Sequence, residues 1–334
     1  MSRQKPQIIG VDADQPSAEA LEPAAQALRS GRLVAFPTET VYGLGANALD
    51  EAAVGRIFAA KARPATNPLI VHIADLAEVD EIVADWPALA TKLADAFWPG
   101  PLTLVLPRRA GVPASVTASL DTVAVRMPAH PVALELIRQA GVPVAAPSAN
   151  RYTEVSPTRA EHVLDSLGEA VDIIVDAGPT KVGVESTVLS LVGERPEILR
   201  AGMVTCEDIA KVAPRVVYAG PIQPDEQASR PSPGLARKHY APRADLRVID
   251  DIDTLLALVG AAESAAWVVV ELFEGTGPRG PVVVMGDDPD AYAEKLYDVL
   301  RDLDKRGVDT ILVEQPPQGG RWRAIHDRLS RAAT

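Results

Sequence analysis

The chain has 334 residues, 47% hydrophobic and 23% charged, with a formal net charge of −12 and a single cysteine, Cys206. That length suits two domains with separate cores, and one cysteine excludes an internal disulfide or a thiolate zinc site. No run approaches the roughly 20 apolar residues of a membrane helix, the polar start Met1–Pro6 does not read as a secretory signal, and the acidic balance disfavours a dedicated nucleic-acid-binding module. A cytoplasmic protein is therefore expected.

In chain order, a helical stretch precedes Gly31, with Pro23 obscuring its start. Strands are expected at Leu33–Phe36, Leu69–Ile73, Leu102–Leu106, Val123–Met127, Val142–Ala145, Ile173–Val175, Thr187–Leu191 and Ile198–Arg200. Asp50 caps a helix in which Val54, Ile57, Phe58 and Lys61 recur at i, i+3, i+4 spacing, which puts Lys61 on the core-facing stripe. Two further helices, Pro131–Ala140 and Thr158–Leu167, stop at Gly141 and Gly168. Residues 1–212 thus read as one α/β domain. Residues 213–244 carry Pro214, Pro221, Pro224, Pro231, Pro233 and Pro242 and read as a connecting segment. From Gln227 to Ala244 this segment holds Arg230, Arg237, Lys238 and Arg243 and no acidic residue, as a loop laid over an anionic ligand would. Residues 245–334 read as a second, smaller α/β domain. Its strands are Leu246–Ile249, Trp267–Leu272, Val282–Met285 and Ile311–Val313, with a helix over Asp288–Lys305 that stops at Gly307.

The richest stretch is FPTETVYGLG followed by KARPATNPLIVHI. After the strand ending at Pro37, a turn presents Thr38, Glu39, Thr40 and Tyr42 before Gly43 and Gly45, small residues that let backbone N–H groups approach a ligand. Lys61 and Arg63 place two cations within three residues, and with a glycine-rich turn they suit a polyphosphate. Gly43–Ala48 also matches the G-x-G-x-x-A dinucleotide fingerprint, but the acidic residue expected about 20 positions later is absent, so a nicotinamide enzyme is discounted. There is no Walker-type phosphate loop. Arg126 lies within the β-rich TVAVRMP run, where a charge needs a carboxylate partner, whether structural or supplied by a small substrate. APSAN and VSPT place Ser148, Asn150, Ser156 and Thr158 at a strand end and a helix start, where hydroxyls either cap or bind an anion or ribose. His72, between Val71 and Ile73, reads as a core histidine. These residues describe an α/β protein that binds a phosphorylated nucleotide and a small carboxylate.

FPTETVYGLG, KARPATNPLIVHI, FWPGPLTLVL, VAVRMP, APSAN, VSPT, GVESTV and ILRAG, in that order over residues 30–205, resemble the threonylcarbamoyl-AMP synthase, or YrdC-like, family. SPGLARKHYAP and the domain behind it resemble the longer two-domain form. The resemblance implies a large, curved, open α/β sheet with a positively charged cavity, plus a smaller Rossmann-like domain behind a linker that covers the site. It implies synthesis of threonylcarbamoyl-AMP and pyrophosphate from L-threonine, bicarbonate and ATP, with Mg²⁺ on the nucleotide. The product would pass to a tRNA threonylcarbamoyltransferase partner that modifies adenosine 37 of tRNAs reading codons that start with A, with at most a weak RNA contact and no membrane. On that resemblance Thr40, His72, Arg126, Ala146 and Ser186 would hold threonine. Lys61, Arg63, Asn67, Thr122, Ser148, Asn150, Ser156, Arg200 and Tyr240 would hold ATP, with Lys61 and Arg63 also catalytic and no protein metal ligand. Leu235-Ala236-Arg237 depart from the family's pattern just before the intact His239-Tyr240-Ala241-Pro242. The alternatives are a carbamoyl-phosphate-using relative and a double-stranded-RNA-binding protein.

Overall fold

The computed structural model describes residues 5–219, 229, 231–234, 238–250, 265–271 and 280–333. Eleven strands form one mixed sheet: β1 (Gln7–Gly10), β2 (Val34–Pro37), β3 (Tyr42–Asn47), β4 (Ile70–His72), β5 (Leu102–Pro107), β6 (Thr122–Arg126), β7 (Val144–Ala145), β8 (Ile173–Asp176), β9 (Thr187–Ser190), β10 (Glu197–Arg200) and β11 (Val217–Tyr218). Their spatial order is β1-β8-β2-β3-β7-β4-β6-β5-β9-β10-β11. The associated helices are α1 (Ala18–Arg29), α2 (Glu51–Lys61), α3 (Val79–Ile82), α4 (Ala88–Phe97), α5 (Pro131–Ala140), α6 (Ala160–Leu167) and α7 (Cys206–Ala210). A second sheet is parallel throughout, in the order β12 (Asp245–Ile249), β15 (Thr310–Glu314), β13 (Ala265–Val269) and β14 (Val282–Val284). Helices α8 (Pro289–Lys305) and α9 (Trp322–Ala332) pack with it.

The two-residue period of a strand divides the large sheet into two faces. Val34 and Phe36 join a core with α1 and α5, whereas Leu33 and Ala35 join α2 and α6 in the other. Helix α2 begins where Asp50 accepts hydrogen bonds from the Ala52 and Ala53 amides, and it carries Lys61 inward to 1% exposure, as its spacing requires. Pro23 lies inside α1 rather than at its start, which Ser17 caps.

Two local expectations are revised. Gly43 and Gly45 belong to β3, not to a turn; a Cβ on Gly45 would stand 2.7 Å from Phe36 Cε1 and 2.9 Å from Val144 Cγ1. These glycines allow close strand packing. Helix α6 begins at Ala160, and neither Ser156 nor Thr158 caps it, because their hydroxyls donate instead to Glu185 and Asp298. Within the connecting segment Lys238 is exposed and Arg243 pairs with Asp304, while Arg230 and Leu235–Arg237 lie outside the described residues. Leu272 also lies outside them.

The two sheets share an apolar cluster in which Val41, Val155, Val184, Met203 and Tyr240 meet residues of α8 and α9. Around it run polar contacts across the same seam. Arg301 donates to the Val155 and Ser156 carbonyls, Thr158 and Arg159 donate to Asp298, and Lys305 pairs with Asp165. Gly183 adopts φ +80°, and a Cβ there would fall 2.1 Å from the Ala293 carbonyl oxygen of α8. The seam is therefore packed to backbone contact. Cys206, the first residue of α7, is partly buried near Arg323 of α9.

Candidate active site

The strand ends and turns converge on one narrow cavity. Its walls come from the β2–β3 turn (Thr38, Thr40), the end of β4 (His72), the end of β6 (Arg126) and the turn after β7 (Ala146, Ser148). The lead-in to β9 (Glu185, Ser186), the end of β10 (Arg200), Arg63 after α2, and Gly234, His239 and Tyr240 of the connecting segment complete it.

The β2–β3 turn is held by Thr38, whose hydroxyl donates to the Val41 carbonyl and accepts from the Thr40 and Val41 amides. It is held from outside as well, since the Val182 and Gly183 amides donate to the Glu39 and Thr40 carbonyls. This places the Thr40 hydroxyl 3.1 Å from Arg126 Nη1. Arg126 Nε donates to the Gly100 carbonyl, and Nη2 lies 2.6 Å from Glu39 Oε1. Among the described residues neither Glu39 oxygen nor Nη2 has an aligned hydrogen-bond partner, so the pair is a charge contact with hydrogen-bonding capacity left over. The intramolecular carboxylate partner of Arg126 is thus Glu39. His72 lies on the strand beside Arg126, and burial first, then the Arg126 charge, lower its pKa to about 3. It is a neutral imidazole at physiological pH.

The other half of the cavity is cationic. Arg63 is fixed by the Asn67 and Pro68 carbonyls and lies over the Tyr152 ring. Arg200 donates through Nε and Nη2 to the Ser186 carbonyl, through Nη2 to the Ser186 hydroxyl and through Nη1 to the Pro233 carbonyl. Ser186 is in turn bonded to Thr103 at 2.8 Å. Tyr240 enters from the connecting segment with a left-handed backbone (φ 60°), its ring fully buried and stacked on Tyr297. Burial, then the Glu185 charge, raises its phenol pKa, and among the described residues its hydroxyl has no hydrogen-bond partner.

Of the residues expected to touch ligands, Thr40, His72, Arg126, Ala146, Ser186, Arg63, Ser148, Arg200 and Tyr240 meet in this one cavity. Lys61, Asn67, Thr122, Asn150 and Ser156 do not line it. Lys61 Nζ donates to the Ser148 and Asn150 carbonyls, and burial, then Arg63, pushes its pKa well below the ordinary value. It thereby fixes the backbone of the APSAN turn. The Asn150 side chain donates to the Arg151 and Glu154 carbonyls, the Asn67 carboxamide lies 3.5 Å from the Tyr152 hydroxyl, and the Ser156 hydroxyl serves Glu185. Thr122 opens β6, four residues and about 13 Å from Arg126. The sequence reading assigned no role to Glu39, Glu185 or His239, although each lies within a quoted motif. Nothing local marked Tyr297 or Arg328, which contact Glu185 from α8 and α9 without lining the cavity.

The Sua5/YciO/YrdC family model, described as "Telomere recombination", matches residues 26–202, and the model for the threonylcarbamoyl-AMP synthase C-terminal domain matches residues 204–334. This chain belongs to the threonylcarbamoyl-AMP synthase family. Two curated family members named threonylcarbamoyl-AMP synthase are each 43% identical to it: that of Pyrococcus abyssi, over 93% of both chains, and that of Bacillus subtilis, over 93% of this chain and 92% of the other. A solved structure of P. abyssi Sua5 complexed with L-threonine aligns with a TM-score of 0.90 and 40% identity, covering 98% of this chain and 97% of that one. Escherichia coli YciO aligns with a TM-score of 0.51 and 25% identity over 58% of this chain, so it is similar to part of the two-domain form only.

Proposed function

We propose that this protein is an L-threonylcarbamoyladenylate synthase, a nucleotidyltransferase of tRNA modification that uses L-threonine, bicarbonate and ATP. Membership of the family and the likeness to a threonine-bound relative support the activity. The observation that carries it here is the two-part cavity: Arg126 with Thr40 and neutral His72 at one end, Arg63 and Arg200 at the other.

In this reading the unused guanidinium capacity of Arg126 binds the threonine carboxylate, while Thr40, Ser186 and the Ala146 backbone orient the amine and hydroxyl. Neutral His72 adds no second positive charge to repel the substrate ammonium. The amine takes up bicarbonate with loss of water, giving the carbamate. A carbamate oxygen then attacks the α-phosphorus of ATP, and the bond to the bridging oxygen breaks to release pyrophosphate. Arg63 and Arg200 hold the phosphates, and their fixed positions stabilise charge as it moves onto the leaving group. Tyr240 and Ser148 border the nucleotide, and Lys61 acts through the turn it holds. Asn67, Thr122, Asn150 and Ser156 complete the ATP site only if side chains or backbone move on binding. Mg²⁺ enters with ATP as part of the substrate. The expected setting is the cytoplasm, with a threonylcarbamoyltransferase receiving the product, the 213–244 segment covering the site, and domains spanning 1–212 and 245–334.

The test is pyrophosphate release from ATP by the purified protein with Mg²⁺, with each of threonine and bicarbonate omitted in turn. Release that requires both, with an adenylate product, is expected. Threonine-independent release driven by carbamoyl phosphate, or salt-sensitive RNA binding without turnover, would replace this reading with one of its rivals.

A further inference from the structure

The side of the cavity bordered by Glu185 and Tyr240 is backed by residues of the second domain that do not enter it. Arg328 of α9 is 1% exposed, and its Nε donates to Glu185 Oε2 at 2.7 Å. Its Nη2 also reaches the Glu185 carbonyl at 3.3 Å, and its guanidinium carbon lies 5.1 Å from the centre of the Tyr240 ring. Tyr297 of α8 donates to the same Glu185 oxygen at 3.0 Å and lies against Tyr240 with centroids 5.9 Å apart. The Ser156 hydroxyl closes the set on Glu185 Oε1 at 2.6 Å.

Glu185 and Tyr240 line the cavity; Arg328 and Tyr297 do not. A buried carboxylate beside a cationic polyphosphate site has two consequences unless it is neutralised. It repels the phosphates, and it draws Arg200 away from them. We infer that Arg328 is a positioning residue for the nucleotide: from the second domain it cancels the Glu185 charge and fixes the Tyr240 ring, so that the Glu185 carboxylate does not compete with the phosphates for Arg200. This role rests on the proposed function for its ligand, and on the buried Arg328–Glu185–Tyr240–Tyr297 contacts for its geometry. Arg328 Nη1 also pairs with Asp327 Oδ2 at 2.7 Å, but Asp327 has Arg331 as a second partner at 2.9 Å, so losing Arg328 alone leaves Glu185 as the uncompensated charge, whereas removing both charges does not.

That asymmetry supplies the test. Binding of a non-hydrolysable ATP analogue and of L-threonine is measured separately by calorimetry for the full chain, alongside thermal unfolding to verify folding. The variants are Arg328→Met, Arg328→Lys and the double variant Arg328→Met with Glu185→Gln. Arg328→Met is expected to weaken nucleotide binding at least tenfold with threonine affinity within about threefold of wild type. The double variant should recover most of the loss and Arg328→Lys part of it. Loss without recovery in the double variant would reduce Arg328 to a structural staple and overturn the inference, as would unchanged nucleotide binding in Arg328→Met. If Arg328→Met does not fold, Glu185→Gln alone decides: tighter or unchanged nucleotide binding supports charge cancellation, and weaker binding refutes it. A wild-type protein that binds threonine but no nucleotide would instead overturn the proposed function, and this inference with it.

Discussion

Arg126 and Glu39 lie 2.6 Å apart at the threonine end of the cavity, and the unsatisfied hydrogen-bonding capacity of both gives each substitution there two effects. Arg126→Ala should abolish detectable threonine binding in calorimetry while a nucleotide analogue still binds. It should also destabilise the protein by about 3–5 kcal/mol, because Glu39 is left buried and unpaired. Adding Glu39→Gln should restore stability without restoring threonine binding, which separates the two effects; unchanged threonine affinity in Arg126→Ala would remove Arg126 from the site. Lys61 calls for a different expectation. Its Nζ serves two carbonyls of the APSAN turn, so Lys61→Met should lower the unfolding midpoint, by about 1–3 kcal/mol per orphaned carbonyl, and slow turnover through the displaced turn. A variant of wild-type stability with lost phosphate binding would mean that Lys61 reaches the ligand after all.

At the scale of elements, capped helices and apolar strands were legible because their causes are local. Asp50 announces α2, Gly141 ends α5 with φ 62°, and Asp288 accepts from two amides at the start of α8. Strand β3 was not legible as a strand, since glycines read as turn formers unless the opposing surface is known. Here that surface is Phe36 on the neighbouring strand together with Val144, 99 positions beyond Gly45 in the chain. Gly45→Ala should therefore cost about 1–3 kcal/mol by overpacking, seen as a lower urea midpoint with an unchanged slope. A neutral result would mean that the Phe36 ring turns aside. The VSPT hydroxyls were illegible for the same reason, because their acceptors, Glu185 and Asp298, are distant in sequence. The motifs marked the residues that gather around the cavity, but they could not show which of them face it and which hold its walls.

Across the whole molecule, the two sheets meet in one cluster, so removing residues 213–334 would expose Val41, Val155, Val184 and Met203 and leave Glu185 without Arg328 and Tyr297. A chain truncated there should retain threonine affinity better than nucleotide affinity. Full activity in that fragment would deny the second domain any part in the reaction. Acid should act on the whole fold as well. His72 is held neutral to about pH 3 and His162 to about pH 4, while His130 and His239 are also lowered, burial being the first cause in each. Between those values and the ordinary histidine pKa near 6.5, the unfolded chain binds protons that the native one refuses. Stability should therefore fall as pH drops below about 6.5. Depressed Glu185 adds to the loss at lower pH, when protonation cancels its pairing with Arg328. His72→Asn should make the thermal midpoint less steep against pH between about 4 and 6; an unaltered slope would mean that His72 does not titrate with unfolding.

Cys206 turns the seam into something that can be timed. It is the chain's one thiol, partly covered where α7 approaches Arg323 of α9, and its pKa is raised by burial, then by Glu207. A disulfide reagent therefore has a single target, and its reaction rate registers how exposed that thiol is beside α9. If ATP and threonine tighten the closed form, saturating both should slow thiol release severalfold in unmodified protein.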